Sequence, residues 1–297
     1  FFVYPLWIFL TRTLDRFGKG IRTGARDAIL SEEATTKTKG KVFGLHRSMD
    51  TLGAVLGPSL ALWYLYYYPQ DYVTLFYIAF FPGVCAVLIS LLLKDKNVNI
   101  TGEKKWSPFF SFLSYWKTSP LIYRKVVIGL LAFTLINSSD VFLLLKAKQA
   151  GLNDSAVIGV YIFYNLVYAL FSFPIGAMAD RIGLRKMFVI GLSLFAIVYF
   201  GMGLITNTYG LASLFFLYGI YAATNEGISK AWISNITDKK ETATAIGMYA
   251  GFQSICTMIA SSLAGLIWYA FGANTAFIIT GLATILVILY FLIFIES

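Results

Sequence analysis

Residues 176–186 read GAMADRIGLRK and separate two apolar stretches, 155–178 and 187–206, each long enough to cross a bilayer as a helix. The glycines of this segment favour a tight turn and close packing, and its acidic side chain can face the positive end of a neighbouring helix. Its basic side chains are typical of a cytoplasmic loop. The segment therefore predicts a hairpin of two membrane helices. The residues of this loop motif are Gly176, Asp180, Arg181, Gly183, Arg185 and Lys186.

Apolar stretches of similar length recur on both sides of this hairpin. Hydrophobic residues make up 58% of the chain and charged residues 13%, and the mean hydropathy of +0.71 is far above that of a soluble domain. The sequence lacks the alternation of a membrane β-barrel, and the stretches are too long for barrel strands. We therefore expect an all-α fold, a polytopic membrane helix bundle with nine transmembrane helices. These are predicted over residues 2–28, 42–66, 72–93, 125–145, 155–178, 187–206, 211–233, 244–268 and 275–295.

Basic side chains are shared unequally between the two sides of the predicted bundle. Fifteen of the 24 Lys and Arg residues lie in alternate connections, whereas the opposite connections hold only Lys146 and Lys148. The positive-inside rule places the basic connections and the C-terminus in the cytoplasm, with the protein in the cell (inner) membrane. The net charge of +9 then reflects topology, and we expect no nucleic-acid partner. The basic connections are 29–41, 94–125, 179–186 and 234–241.

The loop motif resembles the signature that the major facilitator superfamily carries between its eighth and ninth helices, although Leu184 stands where the family usually has arginine. A second segment, GAVLGPSLA at 53–61, resembles the packing element of the family's fifth helix, with Ala61 in place of a glycine. In the family this element allows close packing between two halves and is associated with antiporters. Its packing residues here are Gly53, Gly57 and Pro58.

The resemblance covers essentially the whole chain and implies helices four to twelve of a twelve-helix transporter that is incomplete at its N-terminus. A weak internal repeat, whose two copies lie about 200 residues apart, agrees with two related halves. The implied domains are a partial N-terminal half at 1–93 with helices four to six, a cytoplasmic central linker at 94–124, and a C-terminal half at 125–297 with helices seven to twelve.

The first predicted helix, 2–28, carries seven charged side chains on one face. At 100° per residue they occupy an arc about 140° wide. Charge at membrane depth is tolerated where it lines a bundle interior or a wet cavity, so this stripe predicts a functional site. Arg22, Arg26 and Asp27 lie toward the cytoplasmic end, and the alternative for them is that they snorkel to the interface or pair with loop groups. The stripe consists of Arg12, Asp15, Arg16, Lys19, Arg22, Arg26 and Asp27.

The resemblance also implies that helices one, four, seven and ten line a central cavity. The same polar side chains of helices four, seven and ten are predicted to be functional by a second argument, the high cost of burying charge in a membrane. Two alternatives stay open. The i,i+4 spacings of Asp15 to Lys19 and of Glu226 to Lys230 also fit simple helix-supporting pairs. Asp140 can bond to a neighbouring helix instead of carrying a proton. The residues predicted for the cavity or for coupling are Arg12, Asp15, Arg16, Lys19, Arg22, Asn137, Asp140, Asn225, Glu226 and Lys230.

Two further groups of polar residues complete the predicted site. His46, Arg47 and Asp50 are expected to form an interfacial charge cluster in which the last two pair at i,i+3, and a proton relay through the histidine is the alternative. A stripe of tyrosines at 161–168 favours packing between helices. Proton coupling is predicted through one of four acids in apolar spans, Asp15, Asp50, Asp140 and Glu226.

These patterns together predict a secondary active transporter that moves a small solute by alternating access. The net positive charge of the first predicted helix favours an anionic or zwitterionic solute. The alternatives are a proton-coupled drug efflux antiporter and a non-transporting sensor on the same scaffold. The sequence shows no nucleotide-binding loop, metal-ligand cluster or nucleophile triad, so we expect no enzyme, no cofactor and no metal site. The expected partners are the lipid bilayer, the solute and protons, and we expect a monomer.

Overall fold

The computed structural model describes residues 5–92 and 114–295, which form twelve α-helices and no strand. Every stretch that the hydropathy pattern predicts as a span is helical over most of its described length. The short helix α4 lies in the predicted linker, whose residues 94–113 fall outside the described part. The helices are α1 (Pro5–Glu32), α2 (Lys39–Tyr67), α3 (Tyr72–Leu91), α4 (Tyr115–Thr118), α5 (Leu121–Thr134), α6 (Val141–Gln149), α7 (Asp154–Ile182), α8 (Leu184–Leu204), α9 (Thr208–Ala223), α10 (Glu226–Asn235), α11 (Thr242–Phe271) and α12 (Ala273–Phe294).

Within residues 5–92 and 114–295, five helices combine the length and the apolar composition that a bilayer crossing requires, namely α3, α7, α8, α11 and α12. Helices α1 and α2 are also long, at 28 and 29 residues, but they carry charged side chains along their length. The chain is therefore a multi-pass membrane protein. The number of nine spans stays a prediction.

Two of the predicted spans are interrupted, which corrects the expectation of continuous helices. The stretch 125–145 folds as α5 and α6 with residues 135–140 between them, and the stretch 211–233 folds as α9 and α10 with Thr224 and Asn225 between them. Each interruption holds an asparagine next to Ser or Thr, and such side chains compete with the helical ladder for backbone groups. The Thr224 hydroxyl, for example, donates to the carbonyl of the residue three positions earlier at 2.6 Å.

The helices pack as two groups. Helices α5 to α12 share a core of buried aromatic side chains, such as Phe133 and Phe195, whose ring centroids lie 5.1 Å apart. Helix α3 has no buried residue. The first group, α1 to α3, contacts the second mainly where α2 lies along α7, and also where α1 lies along α11 and where α2 meets α10.

Glycines allow the closest approach between the two groups. A Cβ on Gly40 would lie 2.5 Å from the carbonyl oxygen of Gly176, and a Cβ on Gly44 would lie 2.5 Å from a backbone oxygen of α7. Only glycine lets two helix backbones come this close. The close packing predicted at Gly53 and Gly57 is not found there, because no described atom of another helix lies within 4 Å of a Cβ at either position. Helices α2 and α7 instead cross near the beginning of α2.

Replacing Gly176 by alanine is expected to lower the free energy of unfolding by about 1–3 kcal/mol, the usual cost of overpacking a tight contact. The new methyl group would meet the backbone of Gly40, which cannot rotate away as a side chain can. Thermal unfolding of the protein in detergent micelles measures the effect. Gly159→Ala on the same helix is the matched control, because no described atom lies within 4 Å of its Cβ. An equal loss of unfolding free energy in both variants would show that the close contact between Gly40 and Gly176 is not the cause.

The loop motif forms a one-residue turn between α7 and α8. That residue, Gly183, has a φ of 102°, a region that favours glycine. Nearby, Arg185 donates from Nε to the carbonyl of Phe291 at 3.1 Å and from Nη2 to that of Leu292 at 3.0 Å. Carbonyls at a helix C-terminus lack partners within the helix, so this arginine ties the turn to the end of α12.

Asp180 of the loop motif faces the start of α2. Its Oδ1 accepts from the N–H of Gly40 at 2.7 Å and its Oδ2 accepts from the N–H of Lys41 at 2.8 Å. A carboxylate in this position satisfies free N–H groups and meets the positive end of the helix dipole, as the sequence predicts. We call the end of the bundle that holds Asp180 and the beginning of α2 the Asp180 end.

Candidate functional site

A cavity of about 350 Å³ lies between α2, α7, α11 and the two helix interruptions. Irregular backbone at membrane depth is tolerated where it is buried in protein or lines a cavity, and both interruptions meet this condition. Polar side chains from both of them line the cavity, Asn137 and Asp140 from one and Asn225 from the other, and Glu226 at the first position of α10 lines it as well. The cavity also has a basic side chain, Arg47, a third acid, Asp50, and the tyrosines Tyr161, Tyr164, Tyr168, Tyr218 and Tyr221.

Asp140 is held by two tyrosines from other helices. Its Oδ2 accepts from the hydroxyl of Tyr164 on α7 at 2.8 Å, and its Oδ1 accepts from the hydroxyl of Tyr218 on α9 at 2.6 Å. Both tyrosines are buried, with 2% and 3% of their surface exposed. Hydrogen bonds of this charge-assisted kind fix the carboxylate at the edge of the cavity.

A third tyrosine joins the two interruptions. The amides of Asn137 and Asn225 both donate from Nδ2 to the hydroxyl of Tyr221, at 3.1 and 2.9 Å. The first amide belongs to the break between α5 and α6, and the second to the break between α9 and α10. The two irregular segments therefore form one polar wall.

Arg47 of α2 connects the two helix groups. Its guanidinium pairs with Asp50 one turn further along α2 at 2.8 Å, and it also pairs with Glu226 of α10 and donates to the hydroxyl of Tyr168 on α7. Its charge is thus shared between two acids.

The ion pairs continue from the cavity toward the Asp180 end. Lys230 contacts Glu226 at 3.1 Å and Asp27 of α1 at 2.9 Å, and Asp27 also pairs with Arg26 at 3.0 Å. Asp27 is 0% exposed and Lys230 is 6% exposed. Buried charges of this kind persist when each meets an opposite charge. The two helix groups are therefore joined by a buried ionic chain.

Hydrogen bonds close the interface further toward the Asp180 end. The hydroxyls of Ser31 on α1 and Ser234 on α10 lie 2.5 Å apart, and the Lys39 ammonium donates to the carbonyl of Ser234 at 2.5 Å. The amide of Asn235 donates to the carbonyl of Thr36 at 3.2 Å. Each of these bonds links the first helix group to the second.

The structure brings together some of the predicted site residues. Asn137, Asp140, Asn225 and Glu226 line the cavity, whereas Lys230 lies behind it in the ionic chain. Of the predicted charge cluster, Arg47 and Asp50 pair as expected, and His46 is half-buried within electrostatic range of Asp27 and Lys230. The side chains of the remaining predicted cavity residues lie outside the described part: Arg12, Asp15, Arg16, Lys19 and Arg22.

The sequence interpretation missed the tyrosines as cavity residues. Tyr161, Tyr164 and Tyr168 follow a helical spacing that is common in packing faces, and aromatic residues make up 17% of this chain. The polar runs inside two apolar spans were the usable signal, because they mark where a helix is interrupted. Among the described residues there is no group of three or more His, Cys, Asp or Glu side chains placed to hold a metal ion.

The amino-acid sequence matches a known family over its whole length. Residues 1–164 and 147–297 match the sequence profile of the Major Facilitator Superfamily. An uncharacterized MFS-type transporter of Methanocaldococcus jannaschii is 33% identical over 262 residues, which cover 86% of this chain and 64% of that protein. An uncharacterized protein of Mycobacterium bovis is 21% identical over 277 residues, which cover 88% of this chain and 64% of that protein. This chain thus spans just under two thirds of the length of these curated relatives.

The fold is shared with a solved transporter structure. The crystal structure of the human organic anion transporter MFSD10 (TETRAN) superposes with a TM-score of 0.75 at 13% sequence identity, covering 90% of this chain and 67% of that chain. The family profile, the archaeal relative and this common fold agree with one another. The chain described here belongs to the major facilitator superfamily.

Proposed function

We propose that this chain is part of a secondary active transporter that moves a small solute by alternating access. The position of the cavity is the observation that carries the proposal, because the cavity lies where two membrane segments are interrupted and both interruptions supply polar side chains. In secondary transporters, discontinuous helices form solute sites because their free backbone groups and half-helix ends can meet a ligand there. Membership of the family supports secondary transport in general.

The contacts between the helix groups support a rocking motion. At the Asp180 end the ties beside the glycine crossing of α2 and α7 include polar bonds, such as those of Ser31 and Lys39 to Ser234, and the buried ion pair of Asp27 and Lys230. Such contacts can break and form again as two rigid groups rotate about an interface. In this proposal the Asp180 end is closed and faces the cytoplasm, as the basic connections favour, and solute enters the cavity from the opposite side.

The charges of the site support a zwitterionic solute and proton coupling. The described lining holds one basic side chain, Arg47, and three acids, Asp50, Asp140 and Glu226. The charged stripe predicted on α1 has a basic excess, so acidic and basic groups would face the solute from different helices. An acid at membrane depth is costly in its charged form, which favours a proton as the coupling ion. A monomer within the bilayer suffices for this mechanism.

Counterflow in liposomes tests the proposal. Liposomes that contain the full-length protein and one unlabelled solute are expected to accumulate its labelled form transiently, for at least one member of a panel of labelled amino acids, amines and carboxylates. Protein-free liposomes are the control. A folded protein that shows no counterflow with any member of the panel would contradict the carrier and favour the sensor. An imposed pH gradient is expected to drive accumulation, and flux that ignores the gradient would contradict proton coupling.

A further inference from the structure

Asp140, Tyr164 and Tyr218 present hydrogen-bond acceptors to the cavity. Each tyrosine hydroxyl donates its single proton to one oxygen of the Asp140 carboxylate. A hydroxyl whose proton is used in this way retains its lone pairs, and a carboxylate has room for more than one donor on each oxygen. The three groups therefore offer acceptors to a ligand.

The charge balance singles out Asp140 among the cavity acids. Asp50 and Glu226 both pair with Arg47, and Glu226 also pairs with Lys230. For Asp140 the described part of the chain provides tyrosine donors and no basic side chain within ion-pair distance. A ligand that brings a positive charge would therefore meet an acid that has no counter-ion among the described side chains.

Aromatic packing holds the two tyrosines in place around Asp140. The rings of Tyr161 and Tyr164 lie 5.5 Å apart at 83°, and those of Tyr164 and Tyr218 lie 5.4 Å apart at 73°. These edge-to-face contacts fix the rings, so the hydroxyls of Tyr164 and Tyr218 stay directed at the carboxylate.

We propose that Asp140, with the hydroxyl oxygens of Tyr164 and Tyr218, binds the ammonium group of the solute. This inference rests on the proposed transport function and assigns the amine end of the solute to the interruption between α5 and α6. It limits the solutes to those that carry a protonated amine, either amines or zwitterions, and it excludes solutes whose only charged group is a carboxylate.

Three probes of similar shape test the ammonium subsite. We expect the full-length protein in detergent to bind 2-phenylethylamine at least about tenfold more tightly than 2-phenylethanol, and more tightly than phenylacetate, because only the amine supplies charged N–H donors. Binding is measured by isothermal titration calorimetry at pH 7. In Asp140→Asn the preference for the amine over the alcohol is expected to disappear. Asp154→Asn, an exposed acid at the start of α7, is the matched control and is expected to keep the preference.

Each outcome of this experiment decides the assignment. Equal binding of the amine and the alcohol by the unaltered protein, tighter binding of phenylacetate, or no binding of the amine at millimolar concentration would overturn it. A preference that survives in Asp140→Asn would also overturn it. If that variant does not fold, the order of the three probes on the unaltered protein still decides. Counterflow limited to carboxylates would refute the ammonium subsite and leave the carrier intact, whereas amine binding without any counterflow would refute the carrier alone.

Discussion

Replacing Asp27 by asparagine is expected to lower the free energy of unfolding by about 3–5 kcal/mol, the typical cost of removing one partner of a buried ion pair. Asp27 is 0% exposed, and its carboxylate lies 2.9 Å from the ammonium of Lys230 and 3.0 Å from Nε of Arg26. The neutral amide of the new asparagine cannot form an ion pair with the ammonium of Lys230. Among the described side chains, Lys230 then has Glu226 as its one acidic partner. Unfolding of the protein in mixed micelles at increasing denaturant concentration measures the loss.

Two further variants separate the ion pair from other causes. Glu32→Gln changes an exposed acid on the same helix and is expected to alter stability by less than about 0.5 kcal/mol. Asp27→Asn combined with Lys230→Met removes both charges and is expected to recover more than half of the loss, because the main cost is a buried ammonium that has lost one of its two acidic partners. If the double variant is as unstable as Asp27→Asn alone, the ion pair is not the source of the stability.

The helical fold was largely accessible from sequence, because its signals are local. Apolar stretches indicate helices that are long enough to cross a bilayer, and the loop motif indicates the turn between α7 and α8. There Gly183 provides the positive φ, and Asp180 caps α2 as its charge suggests. What hydropathy missed was the interruption of two spans. Hydropathy averaged over the length of a span stays apolar when the span contains a short polar run. The polar runs at 137–140 and 224–226 therefore did not divide the predicted helices.

The candidate site was accessible only in part, because its contacts join residues that are far apart in the chain. Arg47 and Glu226 lie 179 positions apart, and the spacing of Glu226 to Lys230 along one helix gives no hint that Asp27 is a third partner. Likewise the glycines that allow close approach, Gly40 and Gly176, are recognised when the crossing point of α2 and α7 is known. Sequence identifies which side chains are costly to bury, and tertiary structure decides which of them meet.

A disulfide across the Asp180 end is expected to stop transport completely. The hydroxyls of Ser31 and Ser234 lie 2.5 Å apart on α1 and α10, so cysteines at these positions lie close enough to cross-link with little movement. Alternating access requires this contact to open in every cycle, and a covalent bond prevents the opening. The native cysteines, Cys85 and Cys256, are first replaced by alanine so that oxidation is confined to the new pair.

Counterflow by the cross-linked protein is therefore the most direct measurement of the central claim, that the two helix groups separate at the Asp180 end during transport. Oxidised Ser31→Cys/Ser234→Cys protein is expected to show the counterflow of protein-free liposomes, and dithiothreitol is expected to restore it. Each single-cysteine variant, treated with the same oxidant, should retain counterflow. Undiminished counterflow by protein that is fully cross-linked would contradict alternating access through this interface.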